Sequence, residues 1–260
     1  MIPTKTLIIV IVAILVIALA IGVLYPYMVN IFHRESKCKI RVGTSPDFPP
    51  FEYIDDKGNI VGIDIDMMKI LSNKIGCDME IVSIDFNGLI PALINNQIDV
   101  IASGMTITEE RAKVVAFTKP YWSADQAIVI RKDANINPQS LNDLVNLRVG
   151  VQSGTTAEQM ISEFVSSTGK NINMVSYQSY VLAIQDLLAG RLDAVVVDSP
   201  VANMFVKQYN VKISNIITTN ESYGLAVRKD NTELLNKLNK ALDEFLNSDE
   251  WQQILRKYLG

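Results

Sequence analysis

The sequence predicts an α/β protein of two similar lobes, each a doubly wound, mostly parallel sheet, joined by two crossover hinges and preceded by an N-terminal transmembrane helix. Three observations carry this. From residue 39 onward short β-like runs alternate with helical patterns, an order that favours parallel strands with helices on both faces. The pattern then recurs: Ile40-Arg41-Val42-Gly43 returns as Leu147-Arg148-Val149-Gly150, and Ile98-Asp99-Val100-Ile101 returns as Leu192-Asp193-Ala194-Val195. Ahead of both copies, Leu7 to Leu24 runs without one polar side chain, which meets the roughly 18–20 residues a helix needs to cross a bilayer core.

In chain order, residues 1–37 read as a membrane anchor or signal segment with its linker. A helix apolar on every face would need neighbours all round to be buried in a soluble core. Ala18-Leu19-Ala20 has the small-x-small form of a signal cleavage site, but cutting there would leave Ile21–Leu24 at the new terminus, so an uncleaved anchor fits better. Tyr25, Pro26 and Tyr27 suit an interfacial end to the span. Lys39–Gly43 reads as a strand. Asp64–Ile75 reads as a helix, with Ile65, Met68, Leu71 and Ile75 near helical spacing. Met79–Ile84 is a strand, Leu89–Asn95 a short helix and Val100–Ser103 a strand. The second copy repeats the order, with Ile172–Ser176 standing where Met79–Ser83 stood.

Charge and composition narrow the function. The 260 residues carry a formal net charge of −4, with no basic excess to hold nucleic acid. The single histidine, His33, sits beside the apolar segment. A histidine-based catalytic triad or zinc site is therefore excluded from the globular part. Two cysteines cannot build a zinc site or an iron–sulfur cluster. No cofactor and no metal are expected, and Asp64-Ile-Asp66 reads as helix capping rather than a metal pair.

Ligands of open α/β sheets bind at the carboxyl ends of the strands. Those ends are Ser45–Phe48, Phe86, Ser103–Thr106, Gln152–Thr156, Tyr177 and Asp198. Hydroxyls, aromatics and one carboxylate closing an apolar strand suit a small zwitterion. Gly150-Val-Gln-Ser-Gly154 has one residue too many before the serine to be a nucleophile elbow.

At these positions the chain resembles the polar amino-acid-binding proteins of ABC importers, the glutamine- and histidine-binding group of solute-binding protein family 3. The resemblance runs from Cys38 to Gly260. It is carried by Gly43-Thr-Ser-Pro-Asp-Phe-Pro-Pro-Phe-Glu-Tyr53, Val61-Gly-Ile-Asp-Ile-Asp66, Asp85-Phe-Asn-Gly-Leu-Ile-Pro-Ala-Leu93, Ser103-Gly-Met-Thr-Ile-Thr-Glu-Glu-Arg111, Ser153-Gly-Thr-Thr156 and Asp193-Ala-Val-Val-Val-Asp198. It implies a periplasmic-binding-protein-like fold, with lobe one at residues 38–120 plus 224–260, lobe two at 127–218, and hinges at 121–126 and 219–223.

The resemblance also implies roles. Arg111 matches the arginine that grips the ligand α-carboxylate, its planar fork of donors fitting two oxygens. Asp198 matches the partner of the α-ammonium; its other reading is a helix cap before Pro200. Ser103, Gly104 and Thr106 would complete the grip, although Thr106 or Thr108 could equally cap a helix. Thr155 and Thr156 open the next helix, and Phe48 and Phe86 match aromatic walls around the side chain. Ser45 and Gln152 could hydrogen-bond an amide and carry no charge, which favours a neutral side chain such as glutamine over a cationic one. Asp47, Asp85 and Glu221 are the acids that could reach in and reverse that preference.

Partners implied are a polar amino acid and the permease of an ABC transporter, with the chain a monomer tethered to the extracytoplasmic face of the membrane. The alternatives are a periplasmic cyclohexadienyl dehydratase-like enzyme acting on prephenate or arogenate, with Asp198 or Glu158 as the acid, and an amino-acid sensor domain. Retention of the whole zwitterion grip argues against the first. The chain stopping at Gly260 without an output segment argues against the second. Cys38 and Cys77 each precede a strand. In the doubly wound order these strands are parallel neighbours, about 4.8 Å apart, so a disulfide is expected; two free thiols on opposite faces is the alternative.

Overall fold

A computed structural model describes residues 38–260, and within them the internal repeat is visible as geometry. The first copy holds β1 (Cys38–Thr44), a small three-stranded sheet of β2 (Asp47–Phe48), β3 (Glu52–Ile54) and β4 (Ile60–Val61), helix α1 (Ile63–Lys74), β5 (Cys77–Ser83), α2 (Phe86–Ile94) and β6 (Val100–Ile101). A short helix α3 (Glu109–Ala112) and β7 (Val115–Phe117) lead to the long strand β8 (Trp122–Arg131). The second copy runs β9 (Arg148–Gln152), α4 (Thr156–Thr168), β10 (Asn173–Tyr177), α5 (Tyr180–Leu188), β11 (Ala194–Asp198) and α6 (Ser199–Gln208). The chain returns through β12 (Val211–Tyr223) and β13 (Ala226–Arg228), and closes with α7 (Thr232–Leu246) and α8 (Asp249–Leu259).

Two five-stranded sheets result, in the orders β5-β1-β6-β13-β7 and β10-β9-β11-β8-β12. The repeated motifs pair in the same register: Val42 opposes Val100 and Gly43 opposes Ile101 in one sheet, while Val149 opposes Ala194 and Gly150 opposes Val195 in the other. Each copy also carries the same electrostatic clasp. Arg41 donates its backbone N–H and both arms of its fork to Asp99 at 2.8–3.0 Å. Arg148 does the same to Asp193 at 2.7–3.0 Å. Such forks are bidentate and geometrically specific, so they fix strand register more than they add stability at a half-exposed site.

The sheets are mixed rather than mostly parallel. β1–β6, β9–β10 and β9–β11 are parallel, but β13 runs antiparallel to β6 and β7, and β8 antiparallel to β11 and β12. The physical reason is the double crossing. A strand that enters a sheet on returning from the other one runs against its neighbours. β8 and β12 pair along their whole length, from Val211 opposite Arg131 to Tyr223 opposite Trp122. They form a ribbon containing both expected hinge segments. The ribbon bulges between Ile217 and Glu221, where Asn220 takes a left-handed φ of 52°. Asp125 accepts the Thr219 and Asn220 N–H groups there at 2.8 and 2.9 Å.

Helix ends follow local chemistry. Thr155 caps α4 by accepting the Glu158 N–H, and Gly169 ends it at φ 68°, where a side chain would be strained. α1 spans Ile63–Lys74, one residue from the expected bounds, but neither Asp64 nor Asp66 caps it. The capping position is Gly62, without a side-chain bond. Asp64 instead points inward, fully buried. The largest apolar cluster runs through both sheets by way of Phe48, Tyr121, Tyr180 and Tyr223. The apolar run Leu7–Leu24 lies outside the described residues; among those described, no helix is long and apolar enough to cross a membrane.

Both cysteines are disulfide-bonded, and as the chain has two they bond each other. β1 and β5, which they open, are neighbours in the sheet. Closing a loop of about 40 residues stabilises by roughly 3–4 kcal/mol in the chain-entropy model. Cys38→Ser/Cys77→Ser should therefore unfold at lower denaturant by about that free energy. Alkylation of the unreduced, unfolded protein should label no thiol, and two labelled thiols would contradict the bond.

Candidate functional site

Residues after the carboxyl end of β6 meet those at the carboxyl ends of the neighbouring parallel strands β9 and β11, and a charged cluster forms there. Asp198 is the centre. It ends β11 after four fully buried apolar residues and is itself only 4% exposed. Its Oδ1 accepts Gln126 Nε2 at 2.8 Å and its Oδ2 accepts the Tyr223 hydroxyl. It sits at the N-cap position of α6 but makes no capping bond. Burial pushes its carboxyl up to about 7, and the nearby charge of Glu221 adds to the rise.

Arg111 comes from the other sheet's side, on α3, whose cap is Thr108. Its guanidinium donates to the Thr106 carbonyl at 2.8 Å and, across the cleft, to the Gly154 carbonyl at 2.9 Å. It lies 5.4 Å from the centre of the Phe86 ring, within cation–π range. Desolvation lowers its proton affinity, against the pull of Asp198 and Glu221. Both bonded partners are neutral, and no carboxylate pairs with it within ion-pair distance among the described residues. The Asp198 partners are likewise neutral groups. A cation and an anion, one from each copy, thus converge with their charges unspent.

Glu221, on the ribbon, fills the space between. It accepts hydrogen bonds from the Thr106 hydroxyl at 2.7 Å, the Thr156 hydroxyl at 2.8 Å, Gln126 at 2.9 Å and the Thr219 hydroxyl at 3.1 Å. A second acid, Asp47, holds the far end of the cleft. It accepts the Ser45 hydroxyl at 3.2 Å, Gln152 Nε2 at 2.9 Å and the Tyr180 N–H at 2.9 Å, joining the two copies. Burial raises its carboxyl above the ordinary range.

Thr106, Arg111, Thr156 and Asp198 meet in one cluster, and Ser45 and Gln152 meet at Asp47. Phe48 packs among Phe51, Tyr180 and Tyr223, with ring centres 5.9–6.4 Å apart. Ser103 and Thr155 do other work. The Ser103 hydroxyl donates to the buried Glu52 at 2.9 Å and accepts the Ser45 N–H. Thr155 donates to the Gln152 carbonyl and caps α4. Gly104 turns the chain at φ 49° with its N–H on Asp64 at 2.9 Å; a Cβ there would lie 2.6 Å from the Phe48 ring. Asp85 stays exposed. Gln126, Tyr223 and Tyr180 were not foreseen. Gln126 did leave a signal, being an amide directly before the apolar run Ala127–Ile130 of β8. A cavity of about 860 Å³ opens beside Asp47 and is not lined by Arg111 or Asp198. The charged cluster, not that cavity, has the chemistry for a zwitterion.

Residues 40–260 match family 3 of the bacterial extracellular solute-binding proteins, and the chain belongs to that family. Among its relatives, the arginine-binding extracellular protein ArtP of Bacillus subtilis is 36% identical over 232 residues, covering 86% of this chain and 88% of its own. The histidine-binding periplasmic protein of Salmonella typhimurium is 36% identical, covering 85% and 87%. In three dimensions, an ancestral arginine-binding protein bound to glutamine superposes with a TM-score of 0.81 at 43% identity, covering 87% of this chain and all of that one.

The buried acids dictate a pH dependence. Asp198 is raised to about 7 and Asp64, also by burial, to about 6, against unfolded values near about 4. Between those limits the folded protein keeps protons that the unfolded chain has lost, so stability falls as pH rises. The acids held low by ion pairs, such as Asp99 and Asp193, act with opposite sign but in a window below about pH 4. Circular dichroism should show the ligand-free Tm decreasing from about pH 5 to 7, with Asp198→Asn flattening the upper part. A Tm that climbs across this window would contradict the assignment.

Proposed function

We propose that this protein is an extracytoplasmic receptor that closes its two lobes on one amino acid and delivers it to an ABC permease. The observation that carries this is the convergence of half-buried Arg111 and buried Asp198, each bonded only by neutral groups. A buried charge left unpaired is costly, and an amino acid supplies both missing partners: its α-carboxylate for Arg111 and its α-ammonium for Asp198. Thr106, Thr156 and the Gly104 turn frame the carboxylate, and Phe86 backs the guanidinium. The two charges belong to different lobes, residues 38–120 plus 224–260 and residues 127–218. Ligand binding thus favours closure about hinges at 121–126 and 219–223.

The favoured ligand is cationic, with arginine first. The preference for a neutral side chain rested on Ser45 and Gln152 being uncharged, yet both hydrogen-bond the carboxylate of Asp47. The side-chain end of the cleft therefore presents an acid, Asp47, with no basic partner among its hydrogen-bond donors. The names of the arginine- and histidine-binding relatives agree. The run Leu7–Leu24 serves as an uncleaved anchor, and the receptor works as a monomer. A dehydratase reading would need a general acid with a proton to give. Asp198 has the proton affinity for it but is locked between Gln126 and Tyr223.

Titration calorimetry on the full chain in detergent, with arginine, lysine, histidine and glutamine, tests both levels. Arginine should bind most tightly. Arg111→Ala should weaken it by roughly 2–5 kcal/mol, the cost of stranding one desolvated charge of a pair. Wild-type affinity in Arg111→Ala would refute the site, and glutamine binding in preference to arginine would refute the cationic ligand.

A further inference from the structure

Glu221 stands in a ring of donors that has no need of a protein carboxylate. Its Oε2 takes the hydroxyl protons of Thr106 and Thr156, one from each copy of the repeat, at 2.7 and 2.8 Å. Its Oε1 takes Gln126, whose same nitrogen also serves Asp198 at 2.8 Å. Arg111 feels its charge. These are the hydroxyls and the guanidinium that the reading above gives to the ligand α-carboxylate. Chemically, a glutamate side chain and an α-carboxylate make the same demand on that ring. Both cannot be met at once, because each threonine hydroxyl has one proton to donate.

We propose that Glu221 is an internal competitor for the α-carboxylate subsite: its side chain docks on Thr106 and Thr156 in the free protein and is displaced when the amino acid binds. This rests on the functional reading above and deepens it. The backbone permits the exchange. Glu221 closes one of the ribbon's two register shifts, that between Ile217 and Glu221, next to the left-handed Asn220 and within the hinge segment 219–223. Swinging its side chain out therefore breaks no ladder in the body of either sheet. The docked carboxylate also tethers Thr106 to Thr156 across the cleft, so it holds the lobes near their closed approach while it blocks part of the site. Ligand affinity is then set by the fraction of molecules with Glu221 undocked, the apparent Kd being the intrinsic Kd divided by that fraction.

Electrostatics alone predicts the opposite sign. Removing an acid from a cleft that takes a cationic amino acid should weaken binding, whereas removing a competitor should strengthen it. Glu221→Ala and Glu221→Gln are therefore titrated with arginine by calorimetry, in the full chain, at about pH 8.5, where Asp198 is ionised in every variant. Both variants should bind more tightly than wild type, Glu221→Ala by about tenfold if the docked form dominates by about that ratio. Glu221→Gln, which can still accept the threonine protons, should gain less. Unchanged or weaker binding in Glu221→Ala overturns the competitor and makes Glu221 a spectator or a ligand contact. Failure of the wild type to bind any of the amino acids overturns the functional reading, and the competitor with it.

Discussion

The site depends on one buried charge, the carboxylate of Asp198 at the end of a strand whose preceding residues are all apolar and inaccessible. Placing it there costs stability that no ion pair among the described residues returns. Its two hydrogen-bond donors, Gln126 and Tyr223, come from the two strands of the ribbon. The same strands that join the lobes thus orient the acid. A surface aspartate would be indifferent to a ligand ammonium; a desolvated one gains from it. The protein gives up stability near neutral pH to keep that carboxyl buried.

The rest of the fold brings Arg111 to the same place from the opposite side. Two copies of one α/β unit, each pinned by an arginine fork onto the aspartate just before β6 or β11, present their carboxyl ends toward each other. The approach is close. Gly154 takes a φ of 80°, and a Cβ there would sit 3.1 Å from Asn87 of the other copy. Behind the cleft, Glu52 and Asp64 hold the Ser103–Gly104 turn from below. Tyr121, at the hinge, donates to the same Asp64. The turn is therefore fixed by buried acids.

Much of this is legible in the sequence, for identifiable reasons. The repeat could be seen because the arginine and aspartate of each clasp, and the glycine that lets strand pack on helix, are copied with the strands. Asp198 stands out because a charge at the end of an apolar strand needs a purpose, whereas Arg111 is picked out by the resemblance that its motif carries. What was not legible depends on the ribbon. Mixed sheets follow from strands returning after a double crossing, which local alternation of β and α patterns does not encode. Asp64 reads as a capping residue because it opens a helix, and only the packed turn of Gly104 above it shows that it faces inward. Glu221 and Gln126 reach the site from segments whose local pattern says hinge. Ser45 and Gln152 look uncharged in sequence, and their meeting at Asp47 is a tertiary event.

A ligand ammonium that completes Asp198 must displace a proton. With its carboxyl at about 7, Asp198 is mostly protonated at about pH 6, and an ammonium can pair with it only if that proton leaves. Calorimetric titration of the protein with arginine at that pH, repeated in buffers of differing ionisation enthalpy, counts the protons exchanged. About one proton should be released per amino acid bound, falling toward zero at about pH 8.5 and absent in Asp198→Asn. Tight binding at about pH 6 with no proton released would show that the ammonium is held elsewhere.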